Sequence, residues 1–108
     1  MSTKSELIKQ MITLIQGGWT HNVLARDAEG VPCLPSHPDA KFFCIRGALM
    51  RIHDKYDDVY FDTLLSIEKT LNEMKVSGQS GLCLIVAFND AHGRTKEEVI
   101  DMLSSVRC

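Results

Sequence analysis

SHPDAKFFCIRGALMRIH, residues 36–53, is the stretch on which a fold assignment for this chain turns. Ser36 is a helix-capping residue type, Pro38 suits a first turn that has no use for its missing N–H, and Asp39 complements the helix dipole there. From these signals the stretch reads as one helix running to about His53. At helical spacing Ala40, Cys44 and Ala48 form a small-residue stripe, Phe43 and Gly47 lie beside it, and Phe42, Ile45, Leu49 and Ile52 form a second apolar face. A helix apolar on every side belongs at the centre of a domain. Gly47 costs about 1 kcal/mol against alanine inside a helix, so it marks a place where another element comes close.

Upstream, Leu7, Ile8, Met11, Ile12, Leu14 and Ile15 recur at helical spacing over Thr3 to Gln16, with Thr3 and Glu6 spaced as a capping box and Gly17-Gly18 as the stop. Between Trp19 and Pro35 the pattern changes. WTHNVLAR and VPCL flank Asp27-Ala28-Glu29-Gly30, which suits a type I turn, and a short hairpin is expected. Pro32, Pro35 and Pro38 confine any strand there to an edge.

Downstream, Val59 to Lys75 predicts a helix with Phe61, Leu64, Leu65, Leu71 and Met74 inward, and Ser77 to Gly81 a break. Leu82 to Phe88 is short, β-branched in the middle and bounded by turn residues, so it reads as a buried strand. Thr95-Lys96-Glu97-Glu98 opens a last helix, with Val99, Ile100, Met102, Leu103 and Val106 inward. The expected fold is α+β and mainly α: about four helices around a central one, a short hairpin after Trp19 and one further short strand.

The 108 residues make one domain, since a chain of this length has no room for a second independent core. With 44% apolar and 24% charged residues the chain has the composition of a folded globular protein, not of a disordered one. The net charge of −2 has no basic stripe in it, which argues against a nucleic-acid partner. The longest apolar run is too short to span a bilayer, so no membrane partner is expected, and the polar N-terminus does not resemble a secretory signal. The expected compartment is the cytoplasm, where Cys33, Cys44, Cys83 and Cys108 would be reduced thiols.

Several motifs in order resemble those of a family of short bacterial and phage proteins of unknown function. They are Trp19; Ala25-Arg26-Asp27 with Gly30; Ala40, then Phe43-Cys44-x-x-Gly47-Ala48-Leu49; and Asn89-Asp90-x-x-Gly93-Arg94-Thr95 before a Glu-Val helix. The likeness covers nearly the whole chain after the first helix. Phe88 departs from it, standing where tryptophan is common, but keeps an aromatic ring. The resemblance implies a single domain and no established activity, cofactor or catalytic residue.

Three constellations carry candidate chemistry, each against a plainer structural alternative. Cys33, His37, Cys44 and His53 have the residue types of a zinc site but not its paired spacing. Cys44 near a histidine would resemble a thiol nucleophile, but two turns inside a helix it has nothing to lower its pKa, and Arg46 points elsewhere. The most suggestive polar set is Arg26 and Asp27 on one turn and Asn89, Asp90 and Arg94 on another, with Trp19 as an aromatic wall. The plainer alternative has Asp27, Asn89 and Asp90 tying down turns and Arg94 pairing with an aspartate.

With no cofactor motif, the leading expectation is a small accessory protein that binds another protein or itself. The alternative is a small-ligand-binding protein or enzyme using Trp19, Arg26, Asp27, Asn89, Asp90 and Arg94. A concave pocket between Trp19 and the Asn89-Asp90 turn would favour the alternative, and these side chains paired among themselves with no cavity there would exclude it.

Overall fold

The computed structural model describes residues 3–53, 55–74 and 82–106. The first helix, α1 (Lys4–Gly17), begins where the Thr3 hydroxyl accepts the Glu6 N–H at 3.2 Å. It buries Leu7, Ile8, Met11 and Ile15. Gly18 then turns the chain alongside a strand. A side chain at Gly18 would sit 2.6 Å from the Lys41 carbonyl oxygen and 2.7 Å from the Phe42 ring, so only glycine fits.

The expected hairpin forms between β1 (Ala25–Asp27) and β2 (Pro32–Cys33), closed by the Gly30 N–H on the Asp27 carbonyl at 3.0 Å. Gly30 has φ +84°, the left-handed position that ends a type I turn in a three-residue hairpin. Strand β3 (Ala40–Phe43) pairs antiparallel with the other edge of β1, giving the order β2-β1-β3. Residues 18–20 line the outer edge of β3, where Phe43 donates to the Gly18 carbonyl and Thr20 to the Phe43 carbonyl, each at 3.1 Å.

The stretch 36–53 is therefore not one helix. It turns at residues 34–40, extends as β3 and only then coils as α2 (Ile45–Ile52). β1 offers an unpaired edge to the extended Ala-Lys-Phe-Phe segment, and that pairing overrides weak helical signals further upstream. Cys44, extended at φ −82° and ψ 176°, is the N-cap of α2 and accepts the Gly47 N–H on its sulfur at 3.2 Å. Gly47 does mark a close approach. A Cβ there would overlap the Leu24 carbonyl oxygen and lie 2.8 Å from its carbon.

Helix α3 (Asp58–Glu73) starts at the Asp57 cap, and Tyr60, Thr63, Leu64, Ile67, Thr70 and Leu71 face inward. Phe61, Leu65 and Met74, expected inside, are 50%, 62% and 49% exposed. Tyr60 takes the place expected for Phe61, and the two threonines enter the core because their hydroxyls bond the Val59 and Ser66 carbonyls.

Residues 82–90 form helix α4 (Leu82–Asp90), not a strand. Both edges of β1 are occupied, and helical winding brings Leu84, Ile85 and Phe88 together in the core. Periodicity alone does not separate a buried helix from a buried strand in so short an apolar run.

Helix α5 (Lys96–Ser104) carries both halves of the expected capping box between Thr95 and Glu98, and buries Val99, Met102 and Leu103. All five helices, β1 and β3 contribute to one apolar core. The result is an α+β, mainly helical domain, and among the described residues no helix is long and apolar enough to cross a membrane. The predicted break at residues 77–81 lies outside the described residues.

Candidate functional site

Asn89, at the end of α4, is 2% exposed and uses its whole side-chain amide. Its Oδ1 accepts the Trp19 indole N–H at 2.9 Å and the Ile45 N–H at 3.2 Å. Its Nδ2 donates to the Thr20 carbonyl at 3.2 Å and to Asp90 Oδ1 at 2.8 Å. One side chain thus joins α4, the start of α2 and the strand-like segment after α1. Asp90 Oδ1 also accepts the Asn22 N–H at 2.9 Å. Asn22 itself has φ +68°, a left-handed conformation that asparagine tolerates better than most residues.

Trp19, Asn89 and Asp90 are brought together. The other three candidates are not. Arg26 donates to the Thr20 hydroxyl at 2.8 Å and the Gly30 carbonyl at 3.0 Å, bracing the hairpin. Asp27 accepts the Glu29 and Val31 N–H groups at 2.9 and 3.0 Å within its own turn. Arg94 lies 3.9 Å over the Phe88 ring, bonds the Phe88 carbonyl at 2.8 Å and reaches Glu98 at 3.3 Å. Among the described residues neither arginine pairs with an aspartate.

Beside Asn89 and Asp90 opens a half-enclosed cleft of about 210 Å³. Asn22, Val23 and Leu24 make one wall, and Ile85 and Val86 of α4 face them. Cys44 and Arg46, at the start of α2, complete the lining. Trp19, bonded to Asn89, is not among the residues that line the cleft.

The Cys44 thiol is 7% exposed at the residue level and its pKa is raised, chiefly by burial and further by the Asp90 charge, against the opposing pull of the Gly47 and Arg46 N–H groups. It stays protonated at neutral pH. This cysteine is a cap and a piece of cleft lining, not an activated nucleophile, and the reason differs from the one read in the sequence, since it sits at a helix start and not two turns in.

Arg46 was expected to point elsewhere, yet it lines the cleft, with its Nε buried and, among the described residues, without a hydrogen-bond partner. Among the described residues it forms no ion pair, and in particular none with Asp90. The sequence signal for this pair was Cys-x-x-Gly after an aromatic pair, a strand-to-cap-to-helix pattern that was absorbed into a longer helix.

The zinc constellation does not assemble. Cys44 caps α2, His37 Nδ1 accepts the Asp39 N–H at 3.0 Å, and His53 bonds Asp57 at 2.8 Å. Among the described residues no group of three or more His, Cys, Asp or Glu could hold a metal ion.

A family model described as a family of unknown function (DUF6197) matches residues 1–107. No curated protein and no solved structure matches the chain.

Proposed function

The chain belongs to DUF6197, a family of unknown function, and from its own residues we propose that it is a small-ligand-binding protein whose site is the cleft between residues 22–24, the start of α2 and α4. The observation that carries this reading is the Arg46 guanidinium, set in the wall of a concave space with its Nε buried and unpartnered. Leaving a buried donor unmade costs about 1–3 kcal/mol, so such groups in folded proteins call for an explanation. The Tyr60 hydroxyl, away from the cleft, is equally buried and, among the described residues, unpartnered, so what distinguishes Arg46 is position: it is partly exposed and lines the concave space, where a ligand's acceptor meets the open end of the guanidinium. The rest of the lining is of the usual kind for a binding pocket: mostly apolar, with a few convergent polar groups. A cytoplasmic location belongs to this reading; among the described residues Cys33 and Cys44 form no disulfide.

The test is amide chemical-shift mapping on ¹⁵N-labelled protein with a panel of free amino acids, short carboxylates and nucleobases. Binding should shift the amides of Asn22, Val23, Leu24 and Arg46. It should be lost in Val86→Trp, which fills the mouth of the cleft from a side chain already 39% exposed. Shifts confined to another face, or unaffected by Val86→Trp, would overturn the reading.

A second reading, association with another copy, is supported by a separate observation. Asp58, Phe61, Leu65 and Lys69 fall on one exposed stripe of α3. Two such stripes packed antiparallel would set Phe61 against Leu65 and Asp58 against Lys69 of the second copy, so the surface complements itself.

A further inference from the structure

Building on the cleft reading, we infer that its ligand is a small zwitterion with an aliphatic body, a free amino acid of about leucine size, held at its carboxylate by Arg46 and at its ammonium by Asp90. Both charged side chains line the same cleft and do not pair with each other. Opposite charges that share a small, partly desolvated space without pairing are complementary to a ligand that carries both signs.

The start of α2 cannot hold the anionic end through its backbone. The Ile45 N–H is committed to Asn89 at 3.2 Å, and the Arg46 and Gly47 N–H groups turn to the Cys44 sulfur, the latter at 3.2 Å. Recognition of a carboxylate therefore falls to the guanidinium, whose planar fork suits it. Asp90 spends Oδ1 on Asn22 and Asn89, at 2.9 and 2.8 Å, and no hydrogen bond engages Oδ2 among the described residues. That leaves a carboxylate oxygen for an ammonium donor. Between the two poles Val23, Leu24, Ile85 and Val86 offer an apolar lining. The volume of about 210 Å³ lies below the roughly 300–1,000 Å³ of pockets that enclose drug-sized ligands and is on the scale of a single small metabolite.

The experiment is calorimetric titration with L-leucine, with 4-methylpentanoate, which lacks the ammonium, and with 3-methylbutylamine, which lacks the carboxylate. Leucine should bind at least about tenfold more tightly than either, as expected when a charge-assisted contact is lost. In Arg46→Gln, leucine and the amine should bind alike. In Asp90→Asn, leucine and the carboxylate should. Among the described residues the Arg46 side chain makes no hydrogen bond, and asparagine at 90 keeps the oxygen that Asn22 and Asn89 use, so melting curves of both variants should match the parent.

Equal binding of leucine and 4-methylpentanoate would overturn the zwitterion and leave the cleft reading in place. So would failure of all three while another member of the amide-mapping panel shifts the cleft. Failure of all three with no panel member shifting the cleft amides would remove both.

Discussion

Two polar side chains that line the same cleft stand at opposite extremes of satisfaction. Asn89 is buried with every donor and acceptor site of its amide engaged, while Arg46 buries an N–H that nothing accepts among the described residues. Asn89→Ala removes four hydrogen bonds and strands the Ile45 N–H and the Trp19 indole. An expected loss of about 3 kcal/mol or more follows from one or two buried groups left unpaired, read by urea denaturation. A loss below about 1 kcal/mol would mean that solvent reaches those groups. Asn89, Asp90 and Trp19 were legible in the sequence as one polar set because turn-end Asx residues and a lone tryptophan are recognisable by type. Arg26, Asp27 and Arg94 were drawn into the same set because their types match. Their nearest backbone groups claimed them instead, which residue type does not reveal.

At the scale of elements, the ends of the helices were easier to read than their extents. Thr3 and Thr95 cap as their sequence neighbours dictate, since a cap is a contact over three residues. The cap of α3 has a pH signature. The His53 hydrogen bond at 2.8 Å, then the Tyr60 N–H, holds the Asp57 carboxyl below its ordinary value of 3.8. A carboxyl lowered on folding adds stability that is complete above its unfolded pKa and is lost as pH falls through its folded pKa. Asp57→Asn should therefore lower the urea midpoint near pH 7, and the gap from the parent should shrink as pH falls below 3.8. A gap independent of pH would show that the charge on Asp57 contributes nothing. The two misread elements, residues 36–44 and α4, were decided by the edges of β1. One edge drew Ala40–Phe43 into a strand, and with both edges of β1 taken the run 82–90 coils and buries Leu84, Ile85 and Phe88.

For the whole molecule, the question is what remains on the surface once the core is filled. Phe61 and Leu65 remain, half or more exposed on α3. If the stripe they share with Asp58 and Lys69 is self-complementary, light scattering should show the monomer giving way to a dimer as concentration rises into the millimolar range. Phe61→Ser with Leu65→Ser should abolish the dimer with little change in melting temperature, as exposed substitutions usually do. A monomer throughout that range would remove the second copy as the occupant. This outcome is independent of the cleft, whose lining shares no residue with α3.

What the sequence determined by itself was local and compositional: the α+β, mainly helical class, the caps at Thr3 and Thr95, the Asp27–Gly30 turn, and glycine at 47 as a mark of close approach. Each depends on contacts within a few residues, or on a steric demand that a glycine advertises. Only the tertiary structure decided where α2 begins, that residues 82–90 coil, and that Cys44, Arg46 and Asp90 share a cleft. Moving the start of α2 from Ser36 to Cys44 took that cysteine from mid-helix to cap and carried Arg46 into the cleft wall. The physical reason is that an extended or helical choice for a short apolar segment is nearly balanced locally, and a hydrogen-bonding partner distant in sequence tips it.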